Sequence, residues 1–225
     1  MVYITRRVAR TPLAPTDPGY NPIDERRPQV LFSDWTPKNL QPHEENVEVY
    51  SNCEEVELFL NGKSLGKQAR PKDDSPRIWK INFESGALRA VGVNRGKIAA
   101  TYELRTAQQP ARIILSVDKN TIAKSWDDVV FVNVSVIDQN GTLVPSADNL
   151  ITFKPEGAGF VAAVDSADSN SHEPYQATQR RAYQGKCLAL IKANAARGRI
   201  KLTATSPNLT SASLLLTVSP SSGRR

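Results

Sequence analysis

The sequence has only two cysteines and two histidines in 225 residues. Two cysteines exclude a disulfide-built scaffold and any cysteine-based zinc or iron–sulfur centre. Two histidines, His43 and His172, argue against a multi-histidine metal site or a Ser-His-Asp catalytic triad. No stretch approaches the roughly 18 consecutive apolar residues of a membrane span, and the opening MVYITRRVAR lacks the apolar segment of a signal peptide. Periodic runs of helix-forming residues are also scarce, which argues against an all-α fold.

The net charge of +6 is spread thinly along the chain. The arginine doublets Arg26-Arg27, Arg180-Arg181 and Arg224-Arg225 lie far apart and are not interleaved with aromatic residues. A nucleic-acid surface usually concentrates its basic residues on one face. We therefore expect neither a nucleic-acid nor a membrane partner.

The first 45 residues hold seven of the fifteen prolines. Proline lacks a backbone donor and fixes φ, so we predict no regular helix or central strand there. The segment still carries apolar side chains at Leu31, Phe32 and Trp35, and it has little glycine or serine. We therefore predict that residues 1–45 form an extended strap that depends on contacts with another domain, with part of residues 1–29 mobile.

Two further regions show the alternation of short strands. In residues 46–106, Val56, Leu58 and Leu60 share one face of a strand, and Asn61-Gly62 supplies the positive φ angles of a tight hairpin. Residues 107–225 contain about seven more such strands after the polar joint TAQQPAR (106–112). The pattern predicts an all-β protein with two consecutive immunoglobulin-like sandwiches, a small one over 46–106 and a C-terminal one over 107–225. No βαβ alternation is present, which excludes Rossmann and P-loop folds.

The most distinctive polar segment is VDSADSNSHEPYQATQRR (164–181). It contains six polar candidates within one connection between strands: Asp165, Asp168, His172, Glu173, Arg180 and Arg181. One interpretation is a structural loop closed by arginine–carboxylate hydrogen bonds, with Glu173 accepting from Arg180 or Arg181. The alternative is a Ca²⁺ site using Asp165, Asp168 and Glu173, although the spacing matches no EF-hand.

Two aromatic residues are candidates for stacking on sugar rings. Trp126 lies in the polar turn KSWDD (124–128), and Tyr175 lies in the long loop. The alternative for each is a contact at the edge of a core. No pair of carboxylates suits glycosidase chemistry, because Glu55 and Glu57 lie on the solvent face of their strand.

Two stretches bear a resemblance to a known family. NVEVYSNCEEVELFLNGKSLGKQ (46–68) resembles the β-sandwich that follows the catalytic barrel in bacterial glycoside hydrolase family 2 enzymes of the β-galactosidase type. Residues 164–206 resemble their C-terminal immunoglobulin-like domain, whose pattern runs Asp-Asn-Gly-Asp, His-Glu, a basic pair, and aromatic-x-Gly-Lys. The SDWTP segment (33–37) also fits the stretch leading out of the barrel. The sequence departs from the pattern at Ser166-Ala167, where the family has Asn-Gly.

The resemblance implies a non-catalytic accessory region. Both catalytic glutamates of that family belong to a (β/α)₈ barrel that this sequence does not contain, so no catalytic residue and no cofactor is expected here. The expected partners are the barrel of the parent chain and possibly a second copy in a homo-oligomer. A periplasmic or extracellular location is what the family suggests.

Two other interpretations remain open at this point. The chain could be a free-standing carbohydrate-binding or adhesin module, which would favour similar repeats and exposed aromatic residues. It could also be an autonomous enzyme, which would need convergent acid and base groups.

Overall fold

The computed structural model describes residues 1–9 and 29–220. The chain divides into two compact units, Met1–Thr106 and Ala107–Arg225, and the division falls within the predicted joint. Both units are built from strands, which confirms the all-β class. The strands of the first unit are β1 (Val2–Ala9), β2 (Gln29–Phe32), β3 (Glu44–Ser51), β4 (Glu55–Leu60), β5 (Lys63–Ala69), β6 (Arg77–Asn82), β7 (Ala87–Asn94) and β8 (Lys97–Arg105). Those of the second are β9 (Arg112–Val117), β10 (Thr121–Ile122), β11 (Val130–Ile137), β12 (Leu150–Gly157), β13 (Gly159–Asp165), β14 (Gln179–Arg181), β15 (Lys186–Ala193), β16 (Gly198–Thr205) and β17 (Ala212–Val218). The described residues include no helix of the length and apolarity that a bilayer crossing requires.

The first unit has two four-stranded antiparallel sheets, in the orders β2-β1-β3-β6 and β5-β4-β7-β8. Alternation places Val56, Leu58 and Trp79 in the core as the sequence pattern predicted. The predicted hairpin is present, since Asn61 and Gly62 both have positive φ. The edge strand β5 has no apolar alternation, which is why the sequence pattern did not reveal it.

The structure differs from the predicted strap at residues 1–45. Strand β1 pairs with both β2 and β3, so it is an interior strand of its sheet. The prolines do not oppose this, because none occurs before Pro12. Trp35 is fully buried and packs on Phe83 at 5.1 Å between ring centroids, so its contacts are intramolecular. The predicted mobility falls mostly on residues 10–28, which lie outside the described part of the chain.

A buried ionic network secures the segment between β2 and β3. Arg6, on the inner face of β1, donates from Nη2 to Asp34 Oδ1 at 2.7 Å and from Nη1 to Glu45 Oε1 at 3.0 Å. Glu45 Oε1 also lies 2.9 Å from His43 Nε2, and His43 Nδ1 lies 2.7 Å from the main-chain oxygen of Gln41. A buried guanidinium needs acceptors in place of water, and this network supplies them. A charged residue on an inward position also explains why the alternation of β1 was missed.

A second buried arginine of this unit, Arg77, has main-chain oxygens as its hydrogen-bond acceptors. Arg77 is almost fully buried and donates to four main-chain oxygens, those of Ser51, Cys53, Gln68 and Ala69. Burial lowers the pKa of Arg77. These contacts tie the start of β6 to the end of β3, to the turn before β4 and to the end of β5 without using a carboxylate.

The second unit has a five-stranded sheet, β10-β17-β16-β12-β14, and a four-stranded sheet, β13-β15-β11-β9. Its core includes Val130, Val132 and Val134, as the alternation of β11 predicted. The short strands β10 and β14 are additions to the seven predicted, and β10 pairs in parallel with β17. Two packed sheets of this kind fit the predicted immunoglobulin-like sandwich.

The His43 contacts give the first unit a pH dependence. The hydrogen bonds to Gln41 and Glu45 raise the pKa of His43 above 6.5, because both partners are acceptors and favour a doubly protonated ring. The resulting stability, about 1 kcal/mol or less at this half-exposed site, is fully present below pH 6.5 and is lost as the pH rises through the raised pKa. Proton NMR titration of the imidazole, assigned by its absence in His43→Gln, should give a midpoint above 6.5. A midpoint at or below 6.5 would contradict the described contacts.

Candidate functional site

The long loop after β13 closes around Arg180, whose side chain is fully buried. Strand β14 carries Arg180 beside Ile151 of β12, and Ile151 is a core residue. The guanidinium donates to Ser166 Oγ at 3.2 Å, to the Glu173 main-chain oxygen at 3.0 Å and to Asp165 Oδ1 at 3.4 Å. The loop therefore folds over a cation located at the margin of the sandwich.

The Glu173 carboxylate accepts a hydrogen bond from a main-chain N–H and not from an arginine side chain. Its carboxylate accepts from the main-chain N–H of Arg181 at 3.3 Å. The Nε atom of Arg180 lies 3.7 Å from Glu173 Oε2, which is an ion-pair distance and too long for a hydrogen bond. The arginine–carboxylate hydrogen bond in this loop joins Arg180 to Asp165.

The start of the loop keeps a tight turn although it lacks the family's glycine. Ala167 adopts a φ of 57°, a conformation that glycine takes at little cost and alanine takes with strain. Asp165 Oδ1 accepts from the Ala167 N–H at 3.1 Å, and Asp168 Oδ1 accepts from the Asn170 N–H at 3.0 Å. Two aspartates thus stabilise the turn by hydrogen bonds to the backbone two residues later.

The acidic residues that were candidates for a Ca²⁺ site make the loop contacts described above. Within residues 1–9 and 29–220, no cluster of histidine, cysteine and acidic side chains is arranged to hold a metal ion. Asp165 and Glu173 both face the Arg180 guanidinium, and a cation at that position opposes metal binding. Asp168 belongs to the turn, and His172 is exposed.

The two cysteine thiols are buried. Cys53 and Cys187 are both free and buried. Burial raises the pKa of Cys187 to about 12, against a partly opposing effect of Arg180. A thiol with this pKa is protonated at neutral pH and is a poor nucleophile.

The two aromatic candidates lie in different environments. Tyr175 is exposed, but the Arg180 guanidinium lies 5.3 Å from its ring centroid, and its main-chain oxygen accepts from the Val164 N–H on the edge strand β13. Tyr175 therefore takes part in closing the loop. Trp126 has 88% of its surface exposed and has no ring contact among the described residues.

The outer face of the β13-β15-β11-β9 sheet carries apolar side chains among polar ones. Its exposed or half-exposed apolar members are Ile114, Phe131, Phe160, Leu188 and Leu190, and Ser116, Asn133 and Ser135 share the face with them. The other sheet of the same unit presents mainly charged and hydroxyl side chains, including Lys154, Glu156, Arg199 and Lys201. The run KCLALIKA in β15, apolar at successive positions, was the signal in the sequence that both faces of this strand carry apolar side chains.

Comparisons with known proteins agree with these observations. Residues 113–215 match the model for glycoside hydrolase family 2 C-terminal domain 5, and residues 43–100 match a domain of unknown function, DUF4982. A β-galactosidase of Bacteroides ovatus is 38% identical over 193 residues, which is 81% of this chain and 23% of that protein. A putative β-glucuronidase of Formosa agariphila is 32% identical over 152 residues, covering 65% of this chain and 14% of that protein.

A crystal structure of a family 2 glycosyl hydrolase from Bacteroides cellulosilyticus superposes with a TM-score of 0.84 at 30% identity. The match covers 96% of this chain and 28% of that one. The chain therefore consists of the C-terminal β-sandwich domains of glycoside hydrolase family 2. It spans about a quarter of the length of the first relatives that it matches, the β-galactosidase and the glycosyl hydrolase structure.

The buried position of Arg180 predicts a large difference between neighbouring arginines. Arg180→Ala should lower the free energy of unfolding by about 3 kcal/mol, because it leaves a cavity and removes the donor to Ser166 and Glu173. Arg181→Ala is the matched control and should cost less than about 1 kcal/mol, since that side chain makes one exposed hydrogen bond to Asp148. Urea unfolding followed by circular dichroism measures both. Equal effects of the two changes would contradict the assignment of Arg180.

The strained turn predicts a stabilising change. Ala167→Gly should raise the free energy of unfolding by about 1 kcal/mol, because glycine adopts the observed φ without strain. Ala163→Gly, in strand β13 of the same unit, should instead lower it by about 0.5–1 kcal/mol. Thermal unfolding of the two variants compares them directly, and a loss of stability in Ala167→Gly would show that the turn is absent.

Proposed function

We propose that the chain is the non-catalytic C-terminal accessory region of a family 2 glycoside hydrolase of the β-galactosidase type. In this proposal, a barrel elsewhere in the parent protein hydrolyses β-glycosides, and the two sandwiches support it by packing against the barrel or a partner subunit. The observation that carries the proposal is the match of both units to one contiguous region of much longer glycosidases. Relatives named as β-galactosidase and β-glucuronidase both match, so the substrate of the parent depends on residues outside the matched region.

The position of the carboxylates supports the non-catalytic role. Asp34 and Glu45 converge on one point, as a glycosidase pair must, but the Arg6 guanidinium occupies the space between them and donates to both. Both side chains are largely buried, which leaves no room for a sugar ring between them. Glu48, which is also buried, contacts Arg7 and accepts from the Tyr50 hydroxyl at 2.6 Å.

Apolar side chains on the outer face of the β13-β15-β11-β9 sheet support the packing part of the proposal. A run such as that in β15, apolar at successive positions, is typical of strands that are covered on both faces. Leu188 and Leu190 lie on the interior strand β15 and Ile114 lies on the edge strand β9, and they would be buried against a neighbouring domain.

The first test is catalytic. The purified chain should release no nitrophenol from nitrophenyl β-galactoside or β-glucuronide. Turnover that follows the chain through purification, and is lost in Glu45→Gln or Asp34→Asn, would overturn the proposal, because those two buried carboxylates converge on the same guanidinium.

The second test is a replacement. In the B. ovatus β-galactosidase, the C-terminal region that matches residues of this chain is exchanged for the chain itself. The chimera should remain soluble and hydrolyse the galactoside, whereas Leu190→Asp in the grafted chain should reduce its activity or solubility. Leu215→Asp, on the polar outer face of the other sheet, is the control and should have little effect.

A further inference from the structure

We propose that the end of the second unit around Trp126 is a binding surface for neutral polysaccharides. This site is separate from the proposed accessory role, because it concerns a ligand of the second unit and requires no barrel. Its members are the exposed rings of Trp126, Phe131 and Phe160 together with Lys192, referred to below as the aromatic patch.

The strand register places these residues side by side. Phe160 of β13 lies opposite Lys192 of β15, and Phe131 of β11 lies opposite Leu190 of β15. Directly opposed residues on one face have Cβ atoms about 4.5–5.5 Å apart, so these side chains form one contiguous surface. Lys192 Nζ donates to the main-chain oxygen of Trp126 at 2.6 Å, which attaches the tryptophan turn to the same end of the sheet.

The turn that presents Trp126 is held rigidly by its own side chains. Asp128 accepts from the Ala123 N–H at 2.7 Å and also contacts Lys119. The Ser125 hydroxyl donates to Asp127, and these bonds together with Lys192 fix the backbone on both sides of the indole. A backbone that is already ordered loses less conformational entropy when a ligand binds, which favours recognition. Packing of the fold does not explain the ring, since 88% of the tryptophan surface is exposed.

The charges around the aromatic patch indicate the class of ligand. Besides its own Lys192, the patch has three acidic and two basic residues in the turn of Trp126 or in contact with that turn or with Phe131: Asp118, Asp127, Asp128, Lys119 and Lys124. The field is therefore balanced and attracts neither an acidic nor a basic polymer over distance. The centre of a protein–protein interface is usually depleted of charged residues, which argues against a protein partner here. A pyranose offers an apolar C–H face to an aromatic ring and hydroxyl groups to carboxylates and ammonium groups, and this matches the composition of the patch.

The test is affinity electrophoresis of the intact chain in gels that contain β-1,4-galactan, a mixed-linkage β-glucan or the acidic polygalacturonate. At least one neutral polymer should retard the protein, and polygalacturonate should not. Trp126→Ala should abolish the retardation, with a rise in Kd of at least about tenfold in titration calorimetry. Phe160→Ala should weaken binding by a smaller factor.

Leu215→Ala is the matched control, because Leu215 is an exposed apolar residue on the other sheet. It should leave the retardation unchanged, and all three variants should keep the wild-type melting temperature. Three results would overturn the proposal: no neutral polymer retards the wild-type chain, Trp126→Ala binds like the wild type, or Trp126→Ala changes self-association in sedimentation instead of retardation. None of these readouts depends on glycoside hydrolysis, so this proposal and the accessory role can fail separately.

Discussion

A buried guanidinium that must find acceptors in place of water is the constraint on which both sandwiches depend. In the first unit, Arg6 gathers Asp34 and Glu45 and thereby fixes the chain between β2 and β3 against the core. In the second, Arg180 gathers Asp165 and the main chain at Glu173, and fixes the long loop against the margin between the sheets. Each arginine therefore ties an irregular segment to its sandwich by polar contacts, which in the first unit add to the packing of the buried Trp35. In the second unit, two of the acidic residues that were candidates for a metal site, Asp165 and Glu173, instead face the guanidinium of Arg180.

The contacts of Arg6 and Arg180 give the carboxylates around them a role in the fold. Binding surfaces must therefore be sought elsewhere in the molecule. With the carboxylates of both clusters held by arginines, the features without a role in folding are apolar and aromatic. The middle of the β13-β15-β11-β9 sheet offers aliphatic side chains such as Leu190, which suit a covering domain. The end of the sheet offers the exposed Trp126 next to acidic and basic side chains in equal number, which suits a neutral sugar. One sheet face thus offers two kinds of contact, which adjoin where Phe131 lies opposite Leu190.

The sequence predicted the strands whose alternation is regular, and the structure shows why it missed the others. β11 alternates valine with polar residues and was recognised, whereas β1 places Arg6 on an inward position and β5 has no buried face. The loop after β13 was identified as closed by arginine and carboxylate, but its partners could not be assigned, because which oxygen faces Arg180 depends on the turn at Ala167. Of the proposed aromatic patch, only Trp126 was a candidate from the sequence, since Phe131 and Phe160 come together through register between strands that are distant in sequence.

Amide hydrogen exchange of Arg6→Leu, followed by mass spectrometry, tests most directly whether a buried arginine orders the segment it contacts. The Phe83 N–H donates to the His43 main-chain oxygen at 2.8 Å, so its protection reports whether the segment stays attached to the sandwich. The account predicts faster exchange in peptides covering residues 33–45 and at Phe83, with unchanged exchange in residues 107–220. Unchanged protection of residues 33–45, or an equal loss of protection across both units, would contradict it.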